Sequence, residues 1–282
     1  MHGVREHRSA EKRHLQIALM NFDTGSERLV AAKATEALIV VLSLAILFGL
    51  WAAAAGIAQS RVLPPPGAVF AFLWQEAISG ELWLHLGMTL LRVIAAFLVA
   101  MAIGSAVGIA LGMSRTADRL FDPWLILLLN MPALVVIVLA YIWFGLNEVS
   151  AIGAVALTKI PNVAVTIREG TRAIDPQLTE MAKVFRFPPM RLLRHVILPQ
   201  LQPYFAAATR SGIALIWKIV LVVELLGRPN GVGFQIYTYF QFFDVRAILG
   251  YSLAFVAVML LVELFVVQPL ERRATRWRKR DA

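Results

Sequence analysis

Apolar residues in this chain gather into long blocks separated by short polar or Gly/Pro-rich segments. Each block is near or above the length of about 20 residues that an α-helix needs to cross a bilayer. The blocks cover residues 34–58, 84–112, 120–144, 148–169, 203–226 and 246–268. The pattern therefore predicts an all-α membrane protein with about six transmembrane helices.

The composition agrees with a lipid-exposed surface. Hydrophobic residues make up 59% of the 282 residues and charged residues 16%, and the mean hydropathy is +0.70. A soluble domain averages about 45–50% apolar and about 25% charged residues. The chain has more apolar surface than a water-soluble fold can bury.

The distribution of positive charge predicts the orientation of these helices. Most of the 27 Lys and Arg residues lie in four segments, which are residues 1–33, 113–119, 168–202 and 271–282. The segments on the other side hold only Arg61, Arg228 and Arg246. Under the positive-inside rule the four basic segments are cytoplasmic. This also explains the net charge of +9 without a nucleic-acid partner.

The predicted organisation has three parts. Residues 1–33 form a basic cytoplasmic N-terminal segment, residues 34–268 the six-span membrane domain, and residues 269–282 a basic cytoplasmic tail. We expect the first span to be kept, because a 33-residue leader and a span of this length are too long for a signal peptide.

The longest cytoplasmic loop, residues 171–202, has its own helical pattern. Asp175 can cap a helix that begins at Pro176, where no backbone donor is needed. An apolar stripe at helical spacing follows, formed by Leu178, Met181 and Phe185. Such a stripe on a water-exposed loop indicates a protein partner, and the alternative is contact with an anionic lipid surface.

Prolines divide this loop. Phe187 precedes Pro188, and a residue before proline avoids the α region, so the first helix is predicted to end there. A second short helix is predicted to begin at Pro189 and to end before Pro199.

The loop resembles the signature of the membrane subunits of binding-protein-dependent ABC importers. That signature is Glu-Ala-Ala, three residues, Gly, nine residues, Ile-x-Leu-Pro. This chain has Glu180-Met181-Ala182, three residues, Arg186, nine residues, and Val196-Ile197-Leu198-Pro199. Arg186 replaces the glycine that turns the chain between the two helices. We therefore expect the Phe187–Pro189 run to redirect the chain instead.

Further stretches resemble the nitrate/sulfonate/taurine group of these permeases. They are "LPPPGAVF", "YIWFGLNE" and "ELLGRPNGVGFQI". The resemblance implies a bacterial inner-membrane subunit that pairs with a second copy, receives a small solute from a periplasmic binding protein, and contacts ATPase subunits that bind ATP and Mg²⁺. It also implies a coupling helix between spans 4 and 5. The residues it assigns to this contact are Glu180, Met181, Ala182, Phe185, Arg186, Leu198 and Pro199.

Several polar or interruptive residues fall inside the predicted spans, where they are costly and usually face a cavity or a partner. They are candidates for a translocation path for an anion, and they are Asn130, Lys159, Asn162, Trp217, Lys218 and Glu224. The alternative is that the charged ones neutralise neighbouring helices and fix their packing. Arg92 and Arg210 are expected to extend to the interface.

The sequence offers no sign of catalysis by this chain. It has no cysteine, no phosphate-binding Gly-x-x-x-x-Gly-Lys-Ser/Thr loop, no HExxH and no GxSxG motif. Its histidines lack the spacing of a metal site, so neither a metal nor a cofactor is expected. The alternatives to an ATP-driven importer are a secondary transporter driven by an ion gradient and, less supported, a membrane-anchored enzyme.

Overall fold

The computed structural model describes residue 35, residues 38–60 and residues 62–269. The predicted basic segment 1–33, and the predicted tail from residue 270 onward, lie outside the described residues. Within the described residues the regular structure is helical. The helices are α1 (Leu38–Ala58), α2 (Pro66–Ser79), α3 (Glu81–Met113), α4 (Arg115–Asn130), α5 (Ala133–Phe144), α6 (Glu148–Arg172), α7 (Pro176–Val184), α8 (Pro189–Leu192), α9 (Leu198–Gly227), α10 (Val232–Gln241) and α11 (Val245–Val262).

The number of spans agrees with the prediction. Five helical stretches in the described part of the chain are long and apolar enough to cross a membrane, and a sixth is obtained if α4 and α5 count as one span. Those two helices are bent by 96° relative to each other. The break lies at Met131 and Pro132, both of which have extended backbone, because a residue before proline disfavours the helical region. The break falls inside the predicted third span, residues 120–144.

The prediction that a second loop helix ends before Pro199 is wrong. Helix α8 continues through a π-helical turn, Leu193–Ile197, into α9, so that Pro189–Gly227 is one helical stretch of 39 residues. In this turn the Leu198 N–H donates to the Leu193 carbonyl, five residues back. The wider turn accommodates a proline that cannot donate to its own preceding turn.

The chain divides into two compact units, Met1–Pro66 and Gly67–Ala282. In the first unit α1 is largely exposed, and the Trp51 indole donates to the Pro64 carbonyl at 3.0 Å. The second unit is built around α3, α6 and α9. Its main apolar core includes Ile216, Trp217 and Tyr251, which are buried together.

Glycines allow α3 and α6 to approach closely. Gly104, Gly108 and Gly112 are spaced four residues apart on α3 and face α6. A Cβ on Gly108 would lie 2.6 Å from the Ala164 carbonyl oxygen, and one on Gly112 would lie 2.4 Å from the Thr171 Cβ. Small residues at this spacing are a common means of close helix packing in membranes.

The start of α4 and the end of α6 are joined by ion pairs. Ser114 caps α4 by accepting from the Ala117 N–H. Arg168 on α6 contacts Asp118 at 3.0 Å and Asp122 at 2.5 Å, and Arg172 also pairs with Asp118. These contacts fix the start of α4, which is the first helix of the bent pair.

We predict that Gly108→Ala destabilises the folded protein by about 1–3 kcal/mol, because the added methyl group overlaps the α6 backbone. The measurement is the temperature at which half of the detergent-purified protein leaves the monodisperse peak in size-exclusion chromatography. Gly87→Ala is the matched control, since a Cβ there has no neighbour within 4 Å. Equal midpoints for both variants would contradict the role of the glycine stripe.

Candidate functional site

The loop between α6 and α9 contains a compact projection of residues 175–192, which we call the knob. Asp175 caps α7 as predicted, because its Oδ1 accepts from the Gln177 N–H at 2.8 Å. The Asp175 N–H in turn donates to the Gln200 side chain at 3.0 Å. The start of the knob is thereby tied to the first turn of α9.

The turn after α7 is made by Arg186 itself. Arg186 has φ +49°, which is the left-handed region that glycine adopts at lower cost. The Phe187 N–H donates to the Ala182 carbonyl at 2.9 Å, which is the six-to-one hydrogen bond of a Schellman motif. The expectation that Phe187–Pro189 would replace this turn is wrong, because arginine occupies the conformation of the family glycine.

Apolar contacts anchor the knob to the membrane helices. Ala182 on α7 is buried. Ile197 and Leu201 pack with Val163 and Ile167 of α6, and Ile174, Leu192 and Leu193 pack against this cluster. The knob therefore has a fixed position at the C-terminal end of α6 and the N-terminal end of α9.

The knob also carries an exposed apolar surface. The side chain of Phe185 is 69% exposed, and four other large apolar side chains of the knob are exposed as well. They are Leu178, Met181, Val184 and Met190. Of the remaining predicted coupling residues, Pro199 is exposed and Leu198 is half-buried.

Glu180 is exposed. A carboxylate here can form charge-assisted hydrogen bonds either with the arginines of the loop or with the partner that the resemblance implies. Within the described part of the chain, the structure shows no ion pair between Glu180 and Arg186, Arg191 or Arg194. Arg191 instead lies over the Phe187 ring at 5.8 Å. The partner alternative for Glu180 stays a prediction.

A second group of functional candidates forms an ion-pair network at the outer end of the bundle. Arg92 on α3 is only 2% exposed. Its guanidinium pairs with Glu148 at the start of α6 at 2.8 Å and with Glu224 on α9 at 2.7 Å. Arg228 adds a second contact to Glu148 at 2.5 Å. Two cations and two carboxylates balance, which is the condition under which buried charge is tolerated.

The same network holds the loop that follows α9. Arg92 donates to the Asn230 carbonyl at 2.9 Å, and Glu224 accepts from the Gly233 N–H at 2.9 Å. Gly231 has φ +111°, and a Cβ there would lie 2.3 Å from the Glu224 carboxyl carbon. Only glycine fits at this position, because both the backbone conformation and the space exclude a side chain.

The predicted path residues therefore fall into two groups, of which only one is buried in the packing of the bundle. Glu224 is fully buried and bound on several sides, and Trp217 is buried against Phe255, an arrangement that fits the packing alternative. Lys159 and Asn162 are brought together, with the ammonium 2.8 Å from the amide oxygen. Lys218 and Asn130 are exposed, Lys218 on α9 and Asn130 at the bend after α4, where its side chain bonds the Ile126 carbonyl.

Arg92 does not extend to the interface as expected, because it lies eleven residues inside α3 between two carboxylates. Sequence reasoning also missed Glu148 and Asn230 as its partners, and Arg228 as the second cation on Glu148. The signal was present in two of the quoted motifs. "YIWFGLNE" ends in Glu148, and "ELLGRPNGVGFQI" contains Glu224 and the whole loop. The sequence alone could not show that these two motifs contact each other in the folded protein.

We predict that Glu224→Gln destabilises the folded protein by about 3–5 kcal/mol, because Arg92 then keeps its buried charge with one carboxylate fewer. The loss should appear as a lower midpoint of thermal aggregation in detergent. Glu148→Gln is the comparison, since the Glu148 side chain is 40% exposed and water can compensate. A loss from Glu148→Gln that equals or exceeds that from Glu224→Gln would contradict the central place of Glu224.

Comparison with known proteins agrees with this geometry. The family model described as "Binding-protein-dependent transport system inner membrane component" matches residues 100–268. The aliphatic sulfonates transport permease protein SsuC of Escherichia coli strain K12 is 35% identical over 80% of this chain and 86% of its own length. The taurine transport system permease protein TauC of the same organism is 28% identical over 83% of this chain and 88% of its own.

The fold is also that of a solved transporter. A chain of the MetNI methionine ABC transporter, in an inward-facing form, superposes with a TM-score of 0.59 over 67% of this chain and 93% of its own, at 18% identity. The family match covers more than half of the sequence and includes the knob, α9 and the loop held by Glu224. This chain belongs to the family of inner membrane components of binding-protein-dependent transport systems, and it is a permease subunit of an ABC importer.

Proposed function

We propose that this permease subunit forms the path for a small anionic solute and is driven by separate ATPase subunits that bind the knob. The observation that carries the proposal is the exposed apolar side of the knob, centred on Met181 and Phe185. Apolar surface on a cytoplasmic projection is unfavourable in water, and a partner that covers it gains the hydrophobic free energy. Residues of this kind serve as anchors in protein interfaces.

The shape of the knob supports the same assignment. It is joined to α6 and α9 by Leu192, which packs against the cluster of Val163, Ile167 and Ile197, and by the hydrogen bond from Asp175 to Gln200. Its large apolar side chains, in contrast, are exposed in the single chain. A surface that is apolar, exposed and rigidly mounted suits transmission of movement from a docked subunit. An amphipathic loop that lies on lipid needs no such mounting.

The exposed face of α9 supports a second copy of the chain. Ser211 and Lys218 lie on this face seven residues apart and both are exposed, although α9 belongs to a membrane span. An ammonium in contact with lipid tails is costly. Pairing of two chains along these faces places the lysines in a shared polar path, for which a sulfonate or a similar anion is a suitable solute.

The remaining partners follow from the same assignment. ATP and Mg²⁺ belong to the ATPase subunit, because this sequence lacks a phosphate-binding loop. A periplasmic binding protein supplies the solute at the outer end. The positive-inside pattern puts the knob and both termini on the cytoplasmic side of a bacterial inner membrane, with the lipid bilayer around the spans and no nucleic acid involved.

We predict that the purified subunit alone does not hydrolyse ATP and that hydrolysis requires the ATPase subunit. Release of inorganic phosphate measures this in proteoliposomes with and without the partner. A preparation of the partner with a disabled phosphate-binding lysine is the control for contamination. Hydrolysis by the isolated chain at the rate of the complex would overturn the division of labour.

We predict that Phe185→Asp weakens recruitment of the ATPase subunit and abolishes substrate-stimulated ATP hydrolysis. Membrane insertion should be kept, since no span is altered. Loss of an interface anchor costs about 2 kcal/mol or more, which is roughly thirty-fold in affinity. Co-purification of a tagged ATPase subunit and substrate-stimulated ATP hydrolysis are the two measurements.

Arg186→Gly is the matched control for that variant. It changes the neighbouring residue, keeps the apolar surface, and relieves the positive φ of arginine. We expect it to bind the ATPase subunit at least as well as the unaltered chain. If Phe185→Asp binds and transports normally, the knob is not the ATPase contact, and contact with the lipid surface becomes the better explanation.

A further inference from the structure

Lys159 is a buried cation in the middle of α6. Its side chain is 2% exposed, and its ammonium contacts the Asn162 Oδ1 at 2.8 Å and the Ser211 Oγ at 3.4 Å. Among the residues that the structure describes, no carboxylate lies within ion-pair distance of it. Arg92, in contrast, has two carboxylates. A buried charge without a counter-charge is unfavourable in a membrane and marks a functional site.

One of the neutral partners of Lys159, Ser211, lies on the exposed face of α9. Asn162 is half-buried and Ser211 is exposed. Lys218 lies on the same face of α9 seven residues further on, which is about 10 Å along the helix. The ammonium of Lys159 therefore lies directly behind an exposed hydroxyl, and a second ammonium lies two turns away.

The Lys159 ammonium and the Ser211 hydroxyl have hydrogen-bonding capacity that an anion can use. An ammonium has three N–H donors, and the structure assigns two of them, to Asn162 and Ser211. The Ser211 hydroxyl now donates to the Ala208 carbonyl at 3.2 Å, and it can rotate to donate elsewhere. An oxyanion at the exposed face can accept from the Ser211 hydroxyl, with the positive charge of Lys159 close behind it.

We propose that Lys159, Asn162 and Ser211 form an anion subsite in the middle of the translocation path, and that Lys218 forms the next cationic position along α9. The ligand class is a solute with a sulfonate or carboxylate group. This inference rests on the proposed function and specifies the site at which the solute anion is held. One cation with neutral partners supplies attraction without a rigid cage, as transport requires binding that is weak enough to release.

The absence of cysteine from the sequence permits a direct test. Ser211→Cys is introduced into the permease, which is assembled with its ATPase subunit in lipid nanodiscs. The rate of thiol modification is measured with two reagents of equal size, the anionic 2-sulfonatoethyl and the cationic 2-trimethylammonioethyl methanethiosulfonate. Their ratio is normalised to the ratio for free cysteine. We expect the anionic reagent to be favoured about tenfold, because a unit charge lies within a few ångströms of the thiol.

Lys159→Met in the Ser211→Cys background should bring this normalised ratio close to one. Lys159→Gln serves as a second variant, since its amide can still bond Asn162 if the methionine variant does not assemble. Leu225→Cys is the positional control, because it lies on the exposed part of α9 fourteen residues away. Its ratio should not respond to Lys159→Met.

Two results would overturn the subsite. The first is a Ser211→Cys thiol that neither reagent modifies in the assembled complex, which would place this face against lipid or in a closed contact. The second is an anionic preference that both Lys159 variants leave unchanged. Co-purification of the ATPase subunit and ATP hydrolysis are measured on the same samples. Loss of co-purification and of ATP hydrolysis in the otherwise unaltered permease would count against the proposed function. Loss of the anionic preference alone would count only against the subsite.

Discussion

Arg92 is the residue on which the arrangement of the bundle depends. Its guanidinium lies between Glu148 on α6 and Glu224 on α9, and it also holds the Asn230 carbonyl of the loop after α9. Three spans and one loop thus meet at a single buried cation. Removing any one of these partners leaves a charge in a low-dielectric environment, so the elements must keep their relative positions. The glycines at 231 and 233 follow from the same constraint, since they make room for the Glu224 carboxylate and the α9 backbone.

Charge along the α3–α6 pair is compensated at both ends and left open in the middle. The Arg92 network lies where both helices begin to pack together, and Arg168 with Asp118 and Asp122 lies near their other ends. Between them the glycine stripe lets the two helices approach closely, with Gly104 and Gly108 facing Val163, Ala164 and Ile167. Lys159 lies in this middle part and has only neutral partners. The ion-paired charges of Arg92 and Arg168 fix the fold, whereas the charge of Lys159 is available to a solute.

The sequence predicted the elements better than their connections. Hydrophobic block length gave the six spans, and the spacing of Asp175, Pro176 and the apolar stripe gave α7, because these signals are local. It failed at Arg186 and Pro199, where proline and glycine rules favour a break. Tertiary packing outweighed both rules, since Ala182 and Ile197 are buried at the ends of the membrane helices. The partners of Arg92 and the contact of Lys159 with Ser211 could not be predicted, because residues 52 to 138 positions apart meet only in the folded chain.

The continuity of the knob with α9 connects the two proposed sites. An end before Pro199 would have separated the knob from the membrane by a flexible joint. Instead the helical stretch Pro189–Gly227 carries the knob at one end and Glu224 at the other, with Ser211 and Lys218 between them. At a rise of 1.5 Å per residue, a stretch of 39 residues is about 58 Å long. If ATPase subunits displace the knob, the displacement passes along this helix to the face that carries the solute site. The Arg92 network resists movement at the outer end, so the π-helical turn at Leu193–Ile197, whose hydrogen bonding already departs from the α pattern, is the place where the helix bends most easily.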